Sequence, residues 1–344
     1  MEEGVSCFKS KINMTGLSEQ INGRNGDLEL PNPPFFIVGV GRSGTTLLMS
    51  MLNAHPEVVL PPESHFLRRH VISDKPTDLD EVENRLSSDK YFARLELEPA
   101  ELADYFRESE LGFSWPLLYR LILSRYRRKR GKPIIGDKDP KSIEYLPVLR
   151  WMFPDSRVLH MVRDPRDVVL SREKAGWSRN RSWLSHLLAY RTQFNLGRRK
   201  GRELFDQNYL EIQYEKLITE PEKTLREVSK FLGIKYTDQM LAFSESAEEL
   251  VAPDEKDWKQ NVTGPLQQDN YRKWEDNLSR REIVRIEGVC RRVFDQGLYK
   301  IAYPELTFSE WLERQVLKVG ASIASKLYLT RREIQIRKFL FSHR

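Results

Sequence analysis

The stretch FFIVGVGRSGTTLLMSML, residues 35–52, constrains the fold more than any other part of the chain. Its apolar run over 35–40 reads as a buried strand. A turn bracketed by glycines follows, Gly39-Val40-Gly41-Arg42-Ser43-Gly44. Thr45 and Thr46 then open a helix whose Leu47, Leu48, Met51 and Leu52 recur at helical spacing. A strand, a glycine turn and a helix N-terminus make an anion site. The unpaired N–H groups and the positive end of the helix dipole point at the same ligand. The spacing nearly matches the nucleotide-binding loop G-x-x-x-x-G-K-[ST]. Gly39, Gly44 and Thr46 fit it. Thr45 stands where that loop has its lysine, and the cation, Arg42, lies inside the turn. Arg42, Ser43, Gly44, Thr45 and Thr46 are therefore expected to hold a phosphate-like group without the lysine that an ATPase uses.

The chain of 344 residues suits one large α/β domain or two small ones. Its net charge of +6 fits a polyanionic small ligand, a nucleic acid or a membrane surface equally well. No run is apolar enough to span a bilayer. The N-terminus starts acidic and has no apolar core, so a signal peptide is not expected and a cytoplasmic location is. Cys7 and Cys290 give neither a disulfide framework nor a metal knuckle.

Residues 1–30 read as a mobile polar tail and 31–306 as the main domain. A short strand is predicted over 57–60, before Pro61-Pro62-Glu63. Residues 78–130 carry helical periodicity and read as an insert on the acceptor side. The basic run 125–130 reads as a solvated helix end rather than a nucleic-acid patch. A strand over 133–136 leads into Asp137-Lys138-Asp139-Pro140, followed by a helix over about 142–153. Further strands are predicted over 158–162 and 208–213, and a helix over 222–233 that stops at Gly233. This alternation predicts an α/β fold, a P-loop-like parallel sheet with helices on both faces. The helical insert and a C-terminal extension, a basic amphipathic helix over 307–344, complete it. Phe308, Trp311, Leu312, Val316, Val319 and Ile323 give that extension an apolar face ahead of Arg331, Arg332, Arg337 and Lys338. Such a helix suits a membrane surface, the domain itself or a second subunit.

A second motif, VLHMVRDPRDVVLS, spans residues 158–171. Arg163 ends a strand, Asp164 suits an N-cap, Pro165 the first helical position and Asp167 the first turn. Arg163 is thus directed off the carboxyl edge of the sheet, where open α/β sheets bind ligands. Its planar fork can pair with a phosphate, and Ser171 can add a hydroxyl.

Taken together, the two motifs resemble those of the sulfotransferases that use 3′-phosphoadenosine-5′-phosphosulfate (PAPS). GRSGTT looks like the family's 5′-phosphosulfate loop and RDPRDVVLS like its 3′-phosphate element. Leu52-Asn53-Ala54-His55-Pro56 with Pro61-Pro62-Glu63-Ser64, and the Asp137-Lys138-Asp139-Pro140 turn, are similar to the tyrosylprotein sulfotransferases. Tyr214-Glu215-Lys216-Leu217 with Pro221 and Phe231-Leu232-Gly233 resembles the family's Y-E-x-L…P…F-L-G stretch. Tyr271-Arg272-Lys273-Trp274 resembles its basic-Trp segment. The resemblance runs from about residue 34 to 300. Arg42 departs from the lysine of the cytosolic members, and the Lys273-Trp274 segment replaces their glycine-rich C-terminal loop.

The resemblance implies sulfuryl transfer from PAPS as co-substrate to an acceptor hydroxyl. Arg42 and Lys138 would stabilise the leaving group, Glu63 would act as general base, and Tyr214, Lys273 and Trp274 would join the cofactor site. His65 is the rival base, and His160, within apolar neighbours, reads as a core histidine. No metal is required and no nucleic-acid partner is expected. The acceptor is left open among small-molecule, lipid, sugar and peptide hydroxyls. The competing readings are a P-loop kinase or NTPase and a non-catalytic nucleotide-binding protein at a membrane surface. The first lacks its lysine, and arginine stands where it needs an acidic Mg²⁺ ligand at a strand end.

Overall fold

Five parallel strands in the order β2-β3-β1-β4-β5 form the centre of the computed structural model. It describes residues 26–72, 76, 78–109, 111–176, 178, 180–244, 247 and 263–343. Cys7 and the first 25 residues of the expected tail lie outside the described residues. In chain order the elements are β1 (Phe35–Gly39), α1 (Thr45–Asn53), β2 (Val58–Val59), α2 (Leu79–Ser87), α3 (Pro99–Glu108) and α4 (Trp115–Lys129). Then come β3 (Ile134–Lys138), α5 (Leu146–Met152), β4 (Arg157–Val162), α6 (Pro165–Lys174), α7 (Trp183–Phe205) and β5 (Tyr209–Gln213). The remainder is helical: α8 (Tyr214–Thr219), α9 (Pro221–Leu232), α10 (Trp274–Asn277), α11 (Arg280–Val289), α12 (Arg291–Asp295) and α13 (Phe308–Ser342).

Parallel strands need both faces covered, and β1 is buried along its whole length. Its alternate side chains enter different cores. Phe36 and Val38 pack with Leu117, Leu118 and Leu121 of α4 and Leu149 of α5. Phe35 and Ile37 pack with Leu48 and Leu52 of α1, Leu217 of α8 and Leu225 of α9. From the segment 78–130, α4 thus packs on the sheet, in a layer that it shares with α5 and α7. Trp115 and Tyr119 are core residues, with Tyr119 stacked on Phe66 at 5.2 Å.

Four expectations change in detail. The folded body starts earlier than residue 31. Leu28 is buried, Arg120 Nε donates to its carbonyl at 2.8 Å, and Asp27 pairs with Arg125 and Arg128. Two arginines of the basic run thus hold the N-terminal turn in place. The strand expected over 57–60 pairs only at Val58 and Val59. Around it, side chains take the backbone groups. Asn53 Oδ1 accepts the Leu60 N–H at 2.9 Å, and Lys132 Nζ donates to the carbonyls of Asn53, His55 and Val58. The helix expected over about 142–153 begins as a 3₁₀ turn, Pro140–Tyr145, because Asp139 caps it by accepting the Lys141 N–H at 3.1 Å. The strand expected over 133–136 runs on as β3 through Asp137 and Lys138, which pair with Phe36 and Ile37 of β1, so the expected turn begins only at Asp139. Gly233, at φ 72°, stops α9 in the left-handed conformation that favours glycine.

Candidate active site

The glycine turn places its anion site at the carboxyl edge of the sheet, between β1 and α1. Gly44 is the N-cap of α1 at φ 87° and brings no side-chain acceptor, so the first-turn N–H groups have no side-chain cap. A Cβ on Gly44 would lie 2.3 Å from Cδ2 of Tyr214, so the loop and that ring touch only because residue 44 is glycine. Arg42 takes φ 82°, a conformation that a side chain disfavours. Its Nε donates to Ser171 Oγ at 3.0 Å, joining the first motif to the second.

Arg163 sits at the end of β4, as the alternation predicts. Its Nη1 donates to the Arg42 carbonyl at 3.2 Å and its Nη2 to the Asn270 carbonyl at 3.1 Å. The guanidinium lies over the Tyr214 ring at 4.2 Å. The Tyr214 hydroxyl accepts from Asn270 Nδ2 at 2.8 Å. Arg172, on α6, comes from the same side, with Nη1 3.5 Å from the Gly41 carbonyl. Burial and then Arg163 lower the Arg42 pKa to about 10. Burial, Arg181 and Arg42 lower that of Arg172 to about 10. Both remain cationic at neutral pH and repel their neighbours, so an anion bound between them would be stabilised. Ser43 Oγ and Arg163 Nε are buried without a hydrogen-bond partner among the described residues. Buried polar atoms of this kind are uncommon. Here they line the turn, and the donor set fits phosphate or phosphosulfate oxygens.

Beside this site, Lys138 ends β3 fully buried and pairs with Glu63. His65 Nδ1 lies 3.3 Å from Glu63 Oε1 and 3.4 Å from Asp139 Oδ1. Arg68 Nε donates to Asp139 Oδ2 at 3.1 Å. Burial opposes ionisation of Asp139, but His65 and Arg68 outweigh it and hold the carboxyl below its usual range. Glu63, His65 and Asp139 bring three donor atoms within 4.8 Å of one another, the spacing of a metal site. The cations Lys138 and Arg68 already neutralise those carboxylates.

The structure thus brings Arg42, Ser43, Gly44, Arg163, Ser171 and Tyr214 together, with the N-terminal residues Thr45 and Thr46 of α1. Glu63, His65 and Lys138 form an adjoining cluster. Lys273 is exposed at the N-cap of α10, while Trp274 is buried over the Arg166 guanidinium at 3.7 Å. Asp167 holds that segment, accepting the N–H groups of Arg272 at 2.8 Å and Trp274 at 3.1 Å. His160 is buried with Nδ1 2.5 Å from the Tyr209 hydroxyl, and is a core histidine. The sequence reading missed Arg172, Asn270 and the anchoring by Asp167. Arg172 was signalled only by its place next to Ser171, and Asn270 by nothing local.

The profile described as the sulfotransferase family matches residues 33–238. Human protein-tyrosine sulfotransferase 1 is 30% identical over 220 residues, covering 62% of this chain and 54% of that protein. Protein-tyrosine sulfotransferase 2 of Gallus gallus is 28% identical over 220 residues, with the same shares covered. The chain thus spans about half the length of these curated relatives. Among solved structures, the sulfotransferase domain of the Synechococcus PCC 7002 olefin synthase superposes with a TM-score of 0.58 at 21% identity, covering 82% of this chain and 98% of that one. The sulfotransferase domain from the curacin biosynthetic pathway gives 0.58 at 18% identity, covering 78% and 99%. These two share the fold.

Proposed function

This chain belongs to the sulfotransferase family, and from that premise we propose that it moves the sulfuryl group of PAPS to an acceptor hydroxyl. The reading is carried by one observation. Arg42, on the α1 turn, and Ser171, on α6, meet across a 3.0 Å hydrogen bond, and Arg163 donates to the Arg42 carbonyl. That arrangement suits a ligand with two separate anionic groups. The α1 N–H groups and Arg42 would take the phosphosulfate, and Arg163 with Ser171 the 3′-phosphate.

The acceptor oxygen attacks sulfur in line. The bond from sulfur to the phosphate oxygen breaks, and its electrons leave with 3′,5′-diphosphoadenosine. Arg42 and the buried ammonium of Lys138 oppose the charge that grows on that oxygen. Glu63 takes the acceptor proton, and its pairing with Lys138 sets base and leaving-group cation side by side. A tyrosine hydroxyl, the acceptor class in the relatives' names, is the first to try.

The test is transfer of labelled sulfate from PAPS to tyrosine peptides and to a metabolite extract. Wild type is expected to label an acceptor. Glu63→Gln should lower turnover by about 10²–10⁴-fold, the usual worth of a positioned base. It should leave the thermal shift given by 3′,5′-diphosphoadenosine in place. If His65→Gln abolishes turnover while Glu63→Gln keeps most of it, the histidine is the base. If ATP with Mg²⁺ stabilises the protein as much as 3′,5′-diphosphoadenosine does, the donor assignment fails.

A further inference from the structure

The C-terminal helix has a second apolar face, turned away from the body, that sulfuryl transfer does not use. One side of α13 is fixed. Ala321 and Ser325 are buried, Thr192 Oγ1 donates to Ser325 Oγ at 2.9 Å, and Tyr328 and Arg332 both reach Glu144. Ile336, Phe339 and Leu340 enter the core. The opposite side carries Leu312, Val316, Val319, Ile323, Leu327 and Ile334, from 48% exposed at Leu312 to 64% at Val316. These positions step by three, four or seven residues, so they form one line on the helix. Phe308 and Phe341, 77% and 75% exposed, mark its two ends. A helix of 35 residues makes this line about 50 Å long. Contiguous apolar exposure of that extent marks a docking surface.

We propose that this face of α13 lies on an anionic lipid bilayer. Charge selects that occupant. Lys326, Arg331 and Lys338 border the apolar line. The acidic residues of the helix are engaged: Glu310 by Arg280, Glu313 by Arg281 and Arg285, and Glu333 by Arg337. A second copy docked on the same face would set these basic borders against each other. A layer of acidic headgroups complements them, with the apolar line sunk at the acyl boundary. Among the described residues no helix is long and apolar enough to cross a membrane. The helix therefore lies on the surface, and its fixed inner side gives the catalytic body one orientation.

Flotation of the full chain with phosphatidylcholine vesicles, with and without phosphatidylserine, tests this. The protein is expected to float with the anionic vesicles and to be released several-fold by high salt. Val319→Glu with Ile323→Glu should weaken flotation at least tenfold. Lys326→Glu with Arg331→Glu and Lys338→Glu should remove the preference for phosphatidylserine. Both sets change exposed positions, so the thermal shift with 3′,5′-diphosphoadenosine should match wild type; if the apolar pair lowers stability, the charge set decides alone. The proposal falls if wild type floats with neither vesicle, or if the variants float as wild type does. It also falls if sedimentation shows a dimer that Ile323→Glu dissociates, which would assign the face to a second copy.

Discussion

Arg42 holds φ 82° although it is not glycine, a conformation that costs about 1–3 kcal/mol. Its carbonyl accepts from Arg163 and its guanidinium donates to Ser171, contacts that help to hold it there. The two motifs are therefore one unit, and their contributions should not add. In a cycle of Arg42→Ala, Ser171→Ala and the double variant, we expect a coupling of about 0.5–3 kcal/mol in the affinity for 3′,5′-diphosphoadenosine. Additive losses in calorimetric titration would make the motifs independent. Gly44→Ala should be worse than either single change, since it meets both the φ of 87° and the Tyr214 ring. At this scale the motif residues were legible in the sequence because local spacing displays them. The ring that closes on Gly44 was signalled only by the Y-E-x-L resemblance. Asn270, which joins Arg163 to Tyr214, was hidden because only tertiary packing brings it there.

Within a single element, position along the strand decides which residues serve the site and which serve the core. Arg163 follows the last residue of β4, and His160 lies within the strand under α7. Burial, then Arg198 and Arg202, lower the His160 pKa from 6.5 to about 3. The unfolded chain takes up a proton near pH 6.5 that the folded chain refuses down to about 3. Stability should thus be intact above that window and fall within it as pH drops, by about 1.4 kcal/mol per pH unit from this one group. His160→Asn should flatten the fall; urea midpoints between pH 6.5 and pH 4 check this. A slope equal to that of wild type would assign the acid sensitivity to other groups. Strands and capped helices were legible because apolar runs, proline and Gly233 are local signals. The ends of β2 and the start of the helix after Asp139 were not, because Asn53, Lys132 and Asp139 side chains claim the backbone groups there.

For the whole molecule, the sheet is covered by helices from distant parts of the chain, and α13 packs on the helices α11, α7 and α5. The sequence left three roles open for this helix, because apolar residues recur on both of its sides and periodicity cannot tell which side the body takes. The structure assigns the body to Ala321, Ser325, Ile336, Phe339 and Leu340. The two sides should then respond differently to truncation. Phe339 packs on Trp151 at 5.7 Å within the core, so Phe339→Ala should destabilise the protein by about 3 kcal/mol, through lost burial and the cavity left behind. Phe308, at the exposed end of the same helix, should cost no more than about 0.5 kcal/mol on the same change. Urea unfolding with a shared slope measures both. A Phe339→Ala midpoint equal to that of Phe308→Ala would mean that α13 does not pack on the body in solution. The inner face would then be as open as the outer one, and a bound membrane would no longer orient the active site.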